Sequence, residues 1–524
     1  VNTDSDTDDT ALFQSLASET DDPRALNELG RHYSQQKDWE KASRCFRRAI
    51  RIDPKFTGAW VNLGATLRAL GKLDEAYRCY EKANALSPDS ADVLSNFGNL
   101  LIDMYRPREG VEKLETAHRL KPENAKILTN LGAALRASGE LDRAIEHLIR
   151  ANALNPLDPT TYNNMGTVCA EQGRFQAARE NFEAALSIDP EYAAAHLNRG
   201  YLLLSLGSFG AGWAEYAWRF RTEVSPIERS LINRSGWDGS SLTGRTILVW
   251  PEQGLGDEIM FATCLQNLLD EGKPERCLVA CDPRLVPLFE RTYPSIEFFP
   301  VERQEHTQDE LVTLPFDVHV SMGGLVERYR RSFSDFPDNP IRLLPNIGKV
   351  EDWSQRLSTL GNGLKVGIAW RGGGRVSKRR RRFTSLSDWC DLLAVEGIHW
   401  VNLQYDTTPS EILEFEEVCG SSLHHWPDLD LRRDIDEVAA LVANLDIVIQ
   451  MSNASAHLAG ALGTTVWNII PFAADWRWFQ ERTDALWYPS MRLFRQERPA
   501  DWGSVLDQVA VALREPLRSP AGRP

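Results

Sequence analysis

No stretch of this chain approaches the ~18 consecutive apolar residues that a membrane-crossing helix needs, so the sequence predicts no integral membrane segment. An N-terminal targeting signature is missing too. Residues 1–10 read VNTDSDTDDT, acidic and polar with no apolar core, and the expected location is the cytoplasm. Positive charge is in short supply: 59 Lys and Arg against 74 Asp and Glu leave a net charge of −15, which argues against nucleic acid as a partner. The eight cysteines are scattered with no C-x-x-C pair, and only Cys277 and Cys281 stand close together. Such usage predicts reduced thiols and neither a disulfide framework nor a zinc site. At 524 residues the chain exceeds a single core, so about two to four domains are expected.

What is present in abundance is a period. Gly30, Gly64, Gly98, Gly132, Gly166 and Gly200 are 34 residues apart, and Pro54, Pro88, Pro122, Pro156 and Pro190 keep the same step. Ala42, Ala76, Ala144 and Ala178 hold one further phase, and Phe46, Tyr80, Leu114, Leu148 and Phe182 hold another. This is the helix–turn–helix pattern of tetratricopeptide (TPR) repeats, in which a small residue lets two helices approach and a proline ends the second. The reading is an acidic tail over 1–22 and a TPR solenoid over 23–226, with five clear repeats and a divergent sixth. In that sixth repeat Trp213, Tyr216, Trp218 and Phe220 suggest a cap packing on the next part of the chain. Asn62, Asn96, Asn130, Asn164 and Asn198 precede their glycines by two residues, a phase that belongs to the groove-lining first helix. Such a carboxamide ladder suits the backbone of a captured peptide, or else serves helix packing alone.

Beyond Pro226 short β-branched runs alternate with helical stretches, which predicts parallel sheets in two Rossmann-like lobes, 227–345 and 346–524. The first lobe offers runs at 246–250, 276–282, 296–301 and 317–322; the second offers 365–370, 399–405, 446–451 and 465–470. The fold class is therefore α + α/β: an all-α solenoid followed by two α/β lobes. Ligands of such sheets bind at the carboxyl ends of the strands.

Three strand-end loops stand out. After 246–250 comes PEQGLGDE, where Gly254 and Gly256 lead into Asp257, which reads either as a helix cap or as a carboxylate facing the cleft. No full G-x-G-x-x-G is present, so a dinucleotide fold is not expected. After 365–370 comes RGGGRVSKRRRR, a basic run without an acid, and at a strand end Arg371 and a later residue such as Lys378 or Arg382 suit a phosphate clamp. After 446–451 comes SNASAHLAGALG, where Ser452, Asn453 and Ala454 start a helix fit for an anion, with His457 one turn in as ligand or core residue. The D-x-D spacings of DLDLRRDID read as helix capping, and no metal is expected.

Together with the repeats, QGLGDEIMFA, VGIAWRG, AHLAGALGTTVW and PFAADWRWFQERTDALWYPSMRLFRQ resemble bacterial TPR-containing glycosyltransferases. These are related to heptosyltransferase-type GT-B enzymes and share architecture with protein O-linked N-acetylglucosamine transferases. The resemblance implies a metal-independent GT-B transferase that moves a sugar from a nucleotide-activated donor to Ser or Thr of a protein held by the TPR groove. Some members modify flagellin. It puts the general base on Asp257 and the donor on the second lobe, with Gln404 among the donor-facing residues. Heptosyltransferase-like members carry Asp-Thr where this chain has Ser452-Asn453, which leaves the donor open between a CMP-linked nonulosonic acid and an NDP-sugar, with no further cofactor. Two other readings remain: a non-catalytic TPR adaptor with a degenerate transferase module, and a glycolipid or polysaccharide transferase.

Overall fold

The computed structural model describes residues 21–222, 231, 233–302, 308–372, 384, 386–499 and 501–514. The chain divides into two compact units, Val1–Pro190 and Glu191–Pro524.

The described part of the first unit is all helical: α1 Pro23–Gln35, α2 Trp39–Ile52, α3 Thr57–Ala69, α4 Leu73–Leu86, α5 Ala91–Asp103, α6 Pro107–Leu120, α7 Ala125–Ser138, α8 Leu141–Leu154, α9 Pro159–Glu171 and α10 Phe175–Ile188. The sequence phases turn out to be partners. A Cβ on Gly30, Gly64, Gly98, Gly132 or Gly166 would fall within 2.5–2.9 Å of Phe46, Tyr80, Leu114, Leu148 or Phe182 respectively, so the large residue of each second helix fills the space the glycine leaves. Ala42, Ala76, Ala144 and Ala178 have no exposed surface and set the close helix spacing. Each repeat proline follows its second helix by two residues, where the chain must turn back. This is a TPR solenoid.

The second unit opens with one more helix pair, α11 Ala193–Ser205 and α12 Phe209–Tyr216. Its aromatics do seal onto the α/β lobes. Trp213 Nε1 donates to the Arg330 carbonyl at 2.7 Å and the ring meets Trp476 at 5.4 Å, while Phe220 lies 5.8 Å from Trp250. Trp218 is the exception, stacking on His196 of its own helix pair at 3.7 Å. Arg219 forms a buried ion pair with Glu252 (Nε to Oε2, 2.6 Å), and Glu252 also accepts the Gly323 amide at 2.7 Å.

Two parallel sheets complete the unit. The first has the order β3-β2-β1-β4, from β1 Thr246–Trp250, β2 Arg276–Cys281, β3 Glu297–Pro300 and β4 Val318–Ser321. The second has the order β10-β9-β8-β5-β6-β7, from β5 Leu364–Ala369, β6 Ile398–Asn402, β7 Leu423–His424, β8 Ile447–Met451, β9 Val466–Ile470 and β10 Met491–Arg495. All pairings within them are parallel. Strands β1, β5, β8 and β9 are near-continuous apolar runs because helices cover both faces. In the first sheet the order reverses between β1 and β4, and in the second between β5 and β8. Loops leaving the carboxyl ends at such reversals frame a crevice.

The cysteine expectation needs correcting. Cys390 and Cys419 form a disulfide, and the other six are free. The pair is 29 residues apart in sequence, but the short helix Cys390–Leu393 and the helix Pro409–Cys419 bring the Cα atoms to 4.7 Å, a proximity that spacing alone does not reveal. Thiol titration of the denatured, unreduced protein should count six free groups, rising to the full eight after reduction.

Candidate functional site

The glycine loop leaves β1 at the reversal in the first sheet and enters α13 Leu255–Ala262. Gln253 takes a positive φ of 61° to make the turn, and Gly254 is the N-cap. Asp257 does what its position at the third helical residue predicts: Oδ2 accepts the Gly254 amide at 3.0 Å. Its other oxygen has a second use. Oδ1 accepts Nε of Arg477 at 2.9 Å and also bonds Nη2 of the same side chain. Arg477, only 8% exposed, donates in addition to Asp475 Oδ1 at 2.5 Å and Gln253 Oε1 at 2.9 Å. Burial alone would lower the Arg477 pKa, but Asp257 and Asp475 outweigh it and hold the value well above the ordinary one. The pair joins a helix start in the first lobe to the turn after β9 in the second.

The opposite wall is α14 Ala454–Leu462, which follows β8 at the reversal in the second sheet. Asn453 is its N-cap: Oδ1 accepts the Ala456 amide at 3.1 Å and Nδ2 donates to the Arg371 carbonyl at 3.2 Å. Ser455 Oγ lies 2.6 Å from Asn453 Oδ1 and 2.7 Å from Gln450 Oε1, and its single proton serves one or the other. Ser452 Oγ accepts Trp478 Nε1 at 2.7 Å. Helices α13 and α14 approach closely at Gly256, where a Cβ would stand 2.9 Å from the His457 ring and 3.2 Å from Ala454 Cα. The bare α-carbon therefore serves helix packing at the site.

His457 is buried, shares a 3.0 Å hydrogen bond with the Tyr488 hydroxyl and stacks on Trp478 at 5.2 Å. Burial pushes its pKa down to about 4, against a smaller opposing pull from Asp257. The imidazole is thus neutral at pH 7. Because the folded protein binds this proton more weakly than the unfolded chain, the stability it protects is complete above pH ~6.5 and is lost as pH falls toward 4. Urea unfolding of wild type and His457→Gln between pH 7 and 4 should show the wild type losing about 3 kcal/mol more.

Between these walls lies a cavity of about 400 Å³. Gly254, Gly256, Asp257, Ser452, Asn453, Ala454 and His457 all line it. Arg371 and Gln404 do not. The Arg371 guanidinium is held by Asp406 (Nε to Oδ1, 3.0 Å) and by Glu411, and its amide donates to Gln404 Oε1 at 3.0 Å. Two carboxylates from the connection after β6 have taken the charge expected to meet phosphate. Lys378 and Arg382 lie outside the described residues. The wall also includes residues the sequence reading passed over: Arg284, Tyr405, Arg432, Asp475, Arg477 and Trp478. Asp475, Arg477 and Trp478 fall within the DWRWFQ stretch that carried the family resemblance, so a signal existed. Arg432 belongs to DLDLRRDID, whose capping reading matches the geometry, since Asp434 accepts the Glu437 amide at 3.0 Å. Among the described residues no three His, Cys, Asp or Glu side chains group as metal ligands.

In the solenoid, Asn62, Asn96, Asn130 and Asn164 occupy equivalent turns of α3, α5, α7 and α9 and are half-buried. Asn62 Nδ2 donates to Asn27 Oδ1 at 2.9 Å, and Asn130 Nδ2 to Ser95 Oγ at 3.0 Å. Each of these two therefore uses a donor to tie its repeat to the preceding one. Asn198 holds the same phase in α11. Among the described residues no helix is long and apolar enough to cross a membrane.

Residues 9–198 match the family described as the cilia and flagella-associated protein 70 C-terminal domain, a TPR family by its model name. The chain is 34% identical over 320 residues to Protein FlbA of Caulobacter vibrioides, covering 59% of this chain and 53% of FlbA, so it spans about half the length of that relative. Among solved structures it is similar to TTC0263, a TPR protein of Thermus thermophilus, at 21% identity and a TM-score of 0.33, over 35% of this chain and 99% of that one. Similarity to PilF of Pseudomonas aeruginosa has 23% identity and a TM-score of 0.33, over 40% of this chain and 96% of that one. The chain is thus a TPR-repeat protein continued by two parallel-sheet lobes.

Proposed function

We propose that this protein is a metal-independent GT-B glycosyltransferase that transfers a sugar from a nucleotide-activated donor to Ser or Thr of a protein captured by its TPR groove, flagellin being one such acceptor. The observation behind this reading is the cavity framed by both sheet reversals, where Asp257 and the start of α14 line one wall system. A donor phosphate seated at the amides of Asn453–Ser455 would be stabilised as it leaves, while Asp257 takes the acceptor hydroxyl proton. Among the described residues Asp257 Oδ2 accepts a single bond, from Gly254, and so keeps a lone pair for that proton.

A non-catalytic adaptor is the second reading, and Arg371 favours it, because its guanidinium is already neutralised by Asp406 and Glu411. Thermal unfolding against millimolar CMP, UDP, GDP and ADP separates the two. A ligand at 100 times its Kd adds about 2.7 kcal/mol and shifts the transition. A CMP-specific shift indicates a nonulosonic acid donor, whereas a UDP, GDP or ADP shift indicates a hexose or heptose donor. No shift with any of the four supports the adaptor.

A further inference from the structure

Five charged residues line the cavity, Asp257, Arg284, Arg432, Asp475 and Arg477, three of them cationic. Arg477 is matched by Asp257 and Asp475. Arg284 is matched by Asp282, with Nε to Oδ1 at 2.7 Å and Nη2 to Oδ2 at 2.6 Å. Among the described residues, Arg432 alone of the three has no carboxylate within ion-pair distance and no aromatic face beneath its guanidinium. Its backbone, by contrast, is tethered on both sides. The Arg432 amide donates to Asp430 Oδ1 at 3.0 Å, and its carbonyl accepts Arg284 Nη1 at 2.9 Å. The first bond fixes the turn before the helix Ile435–Ala443; the second fixes that turn against the other lobe.

We infer that Arg432 is an anion receptor of this cavity, binding an oxyanion of its occupant through the two-pronged face of the guanidinium. Arg432 is solvent-exposed, so water hydrates its guanidinium until a ligand supplies the counter-charge; on a fixed backbone at the cavity, in a chain of net charge −15, it is placed to meet an anion. Neighbouring Leu431, Ile435 and Val438 give that part of the wall an apolar surface for the uncharged part of the ligand. Arg432 comes from the connection after β7 and the α14 start from the connection after β8, so the two recognise different parts of one ligand. The oxyanion is a phosphate of a nucleotide or a carboxylate on a sugar. The inference deepens the transferase reading and rests on it for the identity of the occupant.

Calorimetric titration of the full chain tests it, with wild type, Arg432→Gln, Arg432→Lys and Arg433→Gln as proteins. Arg433 is the adjacent cation off the cavity wall and serves as the control. The probes are inorganic phosphate, glucuronate, N-acetylneuraminate, CMP, UDP and GDP. Arg432→Gln should weaken the bound probe by about 10- to 100-fold, with Arg432→Lys between it and wild type and Arg433→Gln unchanged. Loss confined to phosphate and nucleotides identifies phosphate as the group held; loss confined to the two acidic sugars identifies carboxylate. Nucleotide or sugar binding that is equal in wild type and Arg432→Gln overturns the receptor and leaves the transferase reading standing. Phosphate binding that depends on Arg432, with no nucleotide or sugar bound, keeps the receptor and overturns the transferase reading. A wild type that binds none of the six probes overturns both.

Discussion

Asp257→Asn should lower glycosyl transfer by about 10²–10⁴-fold, the usual contribution of a positioned general base, while leaving nucleotide affinity within a few-fold of wild type. The split between rate and binding is the informative part. Asparagine still offers an oxygen to the Gly254 amide, so the helix start survives, and Arg477 still has Asp475. What is removed is the charge and the ability to accept a proton. Single-turnover transfer at saturating donor is the measurement. A rate near that of wild type would make Asp257 a helix cap and lobe tie only and would assign the proton transfer to another group.

Arg477→Met should destabilise the second unit by about 3–5 kcal/mol, because it leaves Asp257 and Asp475 without their common counter-ion. The lower end is expected. The two carboxylates are 18% and 21% exposed, so water can recover part of the lost interaction. Methionine replaces most of the apolar stem, which separates the charge effect from a cavity effect. Urea unfolding followed by tryptophan fluorescence reads the change, since Trp476 lies against the guanidinium at 4.6 Å and Trp487 donates to the Arg477 carbonyl at 3.0 Å. Arg477→Lys keeps the charge but not the fork, and should fall between the two. A loss below about 1 kcal/mol for the methionine variant would show that the pair behaves as an exposed one.

The helical unit was legible because a repeat displays its own contacts: the glycine and large-residue phases of one repeat touch each other, 16 residues apart, in every copy from Gly30–Phe46 to Gly166–Phe182. The eight strands read from apolar runs are all present, with ends that differ by no more than three residues. Two strands were missed for different reasons. β7 is only Leu423–His424, too short to show a pattern. β10, MRLFR, interleaves buried Met491 and Leu493 with an exposed Arg492, a half-buried pattern obscured by the aromatic-rich stretch before it. The site was legible only loop by loop. Asp257 and Arg477 are 220 residues apart, and Arg371 is claimed by Asp406 and Glu411 some 35 and 40 residues away. No local rule pairs such residues, since the fold alone brings them together.

The buried Arg219–Glu252 pair and the Trp213–Arg330 bond also determine what can be exchanged. The chain up to Pro190 forms a compact unit of its own. The stretch from α11 through Arg219 cannot be removed from the second unit, because its loss would leave Glu252 without its buried counter-ion and uncover Trp476. Inheritance should therefore treat that last helix pair as part of the α/β module, and recombination between relatives should leave its joints upstream of it.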